Sequence, residues 1–221
     1  TSVHPESYEA AEKLLEKLNC PIVTIGFKLK DYPSVQMDAY SGMKKLLEHI
    51  VEDHKLRRIH FVKGIEGNAD AEARYKAYLD VLAQHQIPIV PERVSQGDFY
   101  ITGAIVAAKE ILHSTLPFPE AIVCANDTMA ITICDILMDR GIRVPEDVLI
   151  TGYDCTVEGQ VHKPKITSVR TCCKELGQNA CRILLDILDK AEQEIIIIDN
   201  YAGKELLDLL KKINIKIYVF M

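Results

Sequence analysis

Short apolar runs alternate with helically spaced apolar residues along the whole of this chain, and that alternation predicts βα units feeding a parallel sheet. Strands are expected at residues 22–25, 59–62, 94–96, 121–124 and 148–151. Met43, Leu46, Leu47 and Ile50 fall at i, i+3, i+4 and i+7, which puts them on one face of a helix. Further helices are expected over residues 6–18, 71–85 and 102–113, and from Asp127, suited to an N-cap, to Arg140. A long helix carries Leu176, Ala180, Ile183, Leu184, Ile187 and Leu188 on one side. Beyond residue 194 the apolar runs 195–198 and 215–220 flank a helix face of Leu206, Leu209, Leu210 and Ile213, a β-α-β pattern of its own. The rhythm breaks at residues 64–69 and 155–164, which read as hinges.

Composition narrows the function classes. With 48% hydrophobic and 26% charged residues in 221, the chain has the makeup of a folded domain or two, not of a disordered segment. A net charge of −6 argues against a broad electrostatic grip on phosphates, so no nucleic acid is expected as a partner of this chain alone. No apolar run reaches the roughly 18 residues that span a bilayer, so no membrane partner is expected either. Cys20, Cys124, Cys134, Cys155, Cys172, Cys173 and Cys181 are odd in number and mostly in apolar surroundings. They read as reduced thiols, and a cytoplasmic location follows as an expectation.

In open parallel sheets ligands bind beyond the carboxyl ends of strands. Polar and aromatic groups coincide at three such ends, Asp98-Phe99, Asn126-Asp127 and Tyr153-Asp154, and Arg74 opens the helix after the first hinge. A guanidinium fork, carboxylates, an amide and a flat ring together suit a polyol or sugar-like ligand. Taken singly each has a plainer reading: Asp127 a cap, Phe99 core, Asp154 a turn, Arg74 a surface ion pair. Their joint placement at successive strand ends favours the binding reading.

The same residues carry a resemblance. The strings Gln96–Phe99, Ala121–Ala130 and Gly141–Asp154, followed by Pro164–Arg170 and Lys174–Gly177, resemble the effector-binding domain of the lactose/galactose/purine repressor family. Val35–Asp38 with Gly42, and Ile59–Gly64 with Arg74, stand in family order upstream, so that the resemblance covers residues 1–187. It implies an α/β, periplasmic-binding-protein-like fold of two Rossmann-like lobes with parallel sheets, closing on a small-molecule effector without catalysis. It also implies ligand contacts from Arg74, Phe99, Asn126 and Asp154, with Asp98, Asp127 and Glu158 as secondary candidates. No cofactor and no metal are expected, and a homodimer is. The implied division is an N-terminal lobe over residues 1–65, a C-terminal lobe over 66–157, a return to the N-terminal lobe over 158–193, and an atypical tail over 194–221.

The departures are as definite. The family's helix-turn-helix and its first βα units have no counterpart here, which leaves the N-terminal lobe incomplete, or rebuilt by the tail as in a permuted or engineered chain. A phosphoacceptor, receiver-like domain is the rival signalling class, with Asp199 ending a strand. An enzyme is a third, with Cys172 or Cys173 as nucleophile. The absence of a Gly-x-Ser-x-Gly elbow, a phosphate-cradling glycine loop and a His-Glu-x-x-His pair argues against that third class.

Overall fold

The computed structural model describes residues 21–188, together with residues 12, 13, 15 and 17 and the strands Ile195–Ile198 and Ile217–Phe220. Two compact units divide the chain, one spanning Asp38–Thr171 and the other built from Glu6–Met37 and Cys172–Met221. Among the described residues no helix is long and apolar enough to cross a membrane.

The larger unit is a three-layer sandwich. Helix α1 (Ala39–Glu52) starts where the Asp38 side chain accepts the Ser41 N–H, and it buries the predicted Met43, Leu46, Leu47 and Ile50. Strand β3 (Ile59–Val62) leads to α2 (Ala69–Gln84), and β4 (Val94–Ser95) to α3 (Ile101–His113). Next come β5 (Ala121–Cys124), α4 (Asp127–Met138), β6 (Leu149–Asp154), the short α5 (Val157–Val161) and β7 (Thr167–Arg170). All five strands are parallel, in the order β4-β3-β5-β6-β7.

Side chains alternate across this sheet because the strand period is two. Ile59, Phe61, Ala121 and Val123 pack with the buried faces of α1 and α2. Val62, Ile122, Cys124 and Ile150 pack with α3 and α4 on the other side. Burial of each large aliphatic side chain contributes about 1.5–3 kcal/mol. The strands β3 and β5 are covered on both faces and are therefore apolar throughout, except for His60.

The division drawn from the sequence at residue 65 falls inside this unit. Residues 59–62 pair with Ala121–Cys124 in one sheet, so β3 belongs with β5 and not with the strand Thr24–Ile25. A second correction concerns α4. Its N-cap is Asn126, in extended backbone at φ −151°, with Oδ1 accepting the Met129 N–H. Asp127 already lies within the helix, and its carboxylate reaches elsewhere.

In the smaller unit β1 (Thr24–Ile25) and β2 (Ser34–Val35) form a parallel pair, beside which packs α6 (Cys173–Leu188). The tail contributes β8 (Ile195–Ile198) and β9 (Ile217–Phe220), also parallel. A parallel pair needs a crossover, as the β-α-β reading supposes, although the predicted helix face Leu206–Ile213 lies outside the described residues. β8 and β9 pair with each other and, among the described residues, with neither β1 nor β2. The predicted helix over residues 6–18 falls largely outside the described residues, as does Asp199.

His60 gives the larger unit a pH signature. It is 4% exposed, and its Nε2 lies 2.9 Å from Ser95 Oγ. Burial, aided by the Arg93 cation, pushes its pKa from 6.5 down to about 4. The folded state therefore refuses a proton that the unfolded chain accepts, and stability is retained above pH 6.5 and lost as pH falls toward 4. The loss expected from this one group is about 1.4 kcal/mol per pH unit, or roughly 3 kcal/mol across the window. Urea midpoints measured from pH 7 to pH 4 are expected to slope less in His60→Gln than in the parent. Equal slopes would exclude His60 as the source.

Candidate functional site

The order of the strands places the site. The chain enters the five-stranded sheet at β3, adds β4 on one side, then crosses to β5 on the other. The connections after β3 and β5 leave in opposite directions, and a crevice opens at their carboxyl ends. Gly64 follows β3, Phe99 follows β4, Asn126 follows β5, and Tyr153-Asp154 close β6.

Arg74 fills the floor of that crevice. Helix α2 begins at Asn68, whose Oδ1 accepts the Ala71 N–H at 3.0 Å, and this start aims the next turn under the strand ends. Arg74 is 4% exposed. Its Nη1 donates to the Ala125 carbonyl at 2.6 Å, and its guanidinium lies 3.8 Å from the Tyr153 ring centre and 5.6 Å from that of Phe99. Nη2 stands 3.9 Å from Asp154 Oδ1, an ion pair too long for a hydrogen bond. Its Nε has no acceptor among the described residues.

Asp154 is the outward member of the pair, with its side chain 36% exposed. Burial raises its pKa to about 6; the Arg74 cation opposes that shift, and Asp127 and Asp70 add to it. The carboxyl is thus mostly ionised at neutral pH and takes up its proton as pH falls through about 6. Asp70, beside Arg74, is likewise raised by burial and pulled back by that cation.

The backbone here is strained. Phe99, Asp154 and Cys155 all have positive φ, at 68°, 106° and 55°. A non-glycine residue held there costs about 1–3 kcal/mol, and such residues cluster at functional sites. Phe99 keeps its place because Gly64 lies against its ring, where a Cβ would overlap the ring carbons.

Arg74, Phe99, Asn126 and Asp154 are thus brought together, though their duties differ. Asn126 is engaged on both sides of its amide, accepting the Met129 N–H at 3.1 Å and donating to the Phe99 carbonyl at 2.9 Å. Phe99 is 8% exposed and shares the core of α3 and α4. Asp98 accepts from Tyr100 N, Gly103 N and Thr102 Oγ1, so it secures the start of α3. Asp127 is wholly buried, with Oδ2 accepting the Thr156 N–H at 2.7 Å. Glu158 is exposed in the first turn of α5. Tyr153 and the Ala125 carbonyl, which hold the guanidinium, were not among the predicted ligand groups. The signal for Tyr153 was its place beside Asp154, whereas a backbone carbonyl leaves none.

The fold is shared with known proteins. The periplasmic binding protein-like domain matches residues 47–198 of the 221. The ribose operon repressor of Bacillus subtilis is 28% identical over 191 residues, covering 85% of this chain and 57% of the repressor. The transcriptional repressor PurR of Vibrio atlanticus is 31% identical over 177 residues, covering 74% of this chain and 53% of that protein. The chain thus spans a little over half the length of these curated relatives. A solved LacI family transcriptional regulator from Mycobacterium smegmatis superposes with a TM-score of 0.74 at 25% identity, covering 83% of this chain and 67% of the other. The chain belongs to the periplasmic binding protein-like domain family.

Proposed function

We propose that this chain is a non-catalytic sensor for a small polar molecule of the sugar or nucleobase kind, and that it is the ligand-responsive part of a transcriptional regulator. The observation that carries the reading is the half-exposed Asp154 carboxyl, held beside the buried Arg74 guanidinium at the point where the strand order reverses. Asp154 accepts a ligand hydroxyl or ring N–H, Arg74 keeps that carboxyl in place, and the edges of Phe99 and Tyr153 supply the apolar wall. The names of the curated relatives, a ribose operon repressor and a purine-type repressor, support the same ligand classes.

The test is a thermal-shift panel of ribose, galactose, their phosphates, adenosine and hypoxanthine on the parent chain and on Asp154→Asn. One class is expected to stabilise the parent, by about 2.7 kcal/mol at a hundred times its Kd, and to leave Asp154→Asn unmoved. Without ligand the variant is expected to gain stability at pH 7.5. A carboxyl whose pKa is raised to about 6 favours the folded state at low pH and loses that advantage as pH rises through 6. Screening at a side chain 36% exposed reduces the gain from neutralising it to about 1 kcal/mol. A ligand that shifts parent and variant alike, or that is consumed, would sink the reading.

A further inference from the structure

The amino-terminal edge of the same sheet carries a second feature, unrelated to the strand ends just described. A cavity of about 310 Å³ opens there, bounded by the residues before β3, the residues before β4 and the end of α2. That is at the small end of the range for sites that enclose small molecules, roughly 300–1,000 Å³. Ile59, Leu82, Ile87 and Val90 give it an apolar wall, and Arg57, Arg58 and Arg93 also line it.

Those cations are under-compensated. Glu120 pairs with Arg58 at 3.1 Å and also accepts the backbone N–H groups of Arg57 and Arg58, at 2.8 and 2.9 Å. Glu52 faces His85, its Oε1 3.2 Å from Nε2 in an alignment that makes no hydrogen bond. Arg57 spends Nη1 on the carbonyls of Val51 and Leu56. Arg93 is 9% exposed and donates only Nη2, to the Pro117 carbonyl at 2.9 Å; it forms no ion pair among the described residues. Burial, and then the neighbouring Arg58 cation, lower the Arg93 pKa. Glu120 acts on Arg93 in the opposite sense but does not cancel these effects, and a largely buried arginine beside another cation is costly unless a further anion shares its space.

We infer that this cavity binds a small organic carboxylate, its charged end on Arg93 and Arg57 and its hydrocarbon or aromatic body against Ile59, Leu82, Ile87 and Val90. The fork of donors matches a carboxylate, and the apolar wall favours an amphiphilic anion over inorganic phosphate. The site lies within the larger unit and shares no residue with the crevice of Arg74 and Asp154.

The test is a methyl-resolved NMR titration of the full chain with benzoate, benzyl alcohol and inorganic phosphate in turn. Benzoate is expected to shift the methyls of Ile59, Leu82, Ile87 and Val90 saturably, and to bind at least ~10-fold more tightly than the neutral alcohol. Arg93→Met and Arg57→Gln are each expected to weaken benzoate by ~10-fold or more. Arg57 is exposed, so its variant keeps the test decisive where Arg93→Met perturbs folding. Equal binding of the alcohol, equal binding by Arg57→Gln, phosphate binding as tightly as benzoate, or a folded sample with unmoved methyls would each overturn the assignment.

Discussion

Arg74→Ala is expected to lower unfolding free energy by about 2–4 kcal/mol at pH 7.5 and to abolish any effector-induced stabilisation, because it leaves a void at a buried position and the Ala125 carbonyl without its donor. Three elements meet on this guanidinium: the Ala125 carbonyl at the end of β5, the Tyr153 ring on β6, and the Asp154 carboxyl beyond it. Removing it empties their common centre. It also removes the cation that holds the Asp154 pKa down against burial, so that value rises further above about 6. A raised pKa means that the folded state binds the extra proton, and its stability falls as pH climbs through that value. The variant is therefore expected to lose less at pH 5.5 than at pH 7.5. Arg74→Met separates packing from recognition. Its unbranched chain fills much of the volume and brings no charge, leaving mainly an unmet Ala125 carbonyl at a cost of about 1–2 kcal/mol. Binding is expected to be lost in both variants. Urea unfolding at the two pH values, with the ligand panel, checks this; a methionine variant that still responds to ligand would remove Arg74 from the site.

Much of this was legible in the residues. The larger unit has strands of four apolar residues and helices with regular apolar spacing, so β3, β5, α1 and α4 could be placed to within a few positions. The strand β7 had no such signal. Among the described residues Thr167–Arg170 pairs only with β6, and it is half solvated, so its Thr-Ser-Val-Arg sequence needs no apolar run. The division of the chain was harder still, since the partner of β3 is set by a contact across 62 residues of sequence: His60 meets Ile122. At the site, the residue types were readable and their duties were not. Asn126 and Asp127 are adjacent, and both suit a helix start. Only the backbone, extended at Asn126, decides which one caps. The other carboxylate is then carried into the interior.

That buried Asp127 carries the other large effect. Its carboxylate is fully enclosed at the first turn of α4, where the helix dipole favours negative charge. Oδ2 accepts the Thr156 N–H at 2.7 Å, and Oδ1 has no donor among the described residues and presses against Gly152. Through Thr156 it ties α4 to the turn in which Asp154 and Cys155 are held at positive φ. Asp127→Ala is expected to cost about 2–4 kcal/mol, from a lost charge-assisted hydrogen bond and a loosened turn. The ligand response is expected to weaken with it, since Asp154 loses its fixed backbone. Gly152→Ala is expected to cost about 1–3 kcal/mol by overpacking, because the new methyl would overlap Asp127 Oδ1 and stand only 3.0 Å from Asp127 Cα. The two costs have a shared cause. Trimming Asp127 to alanine clears the oxygen, so Gly152→Ala becomes cheaper in that background, and the double-mutant cycle is expected to close with a favourable coupling of about 1 kcal/mol. The contact at Asp127 Cα survives the trimming and keeps the relief partial. Urea unfolding of the four proteins measures the coupling directly, and strictly additive costs would show that Gly152 is small for a reason other than the carboxylate above it.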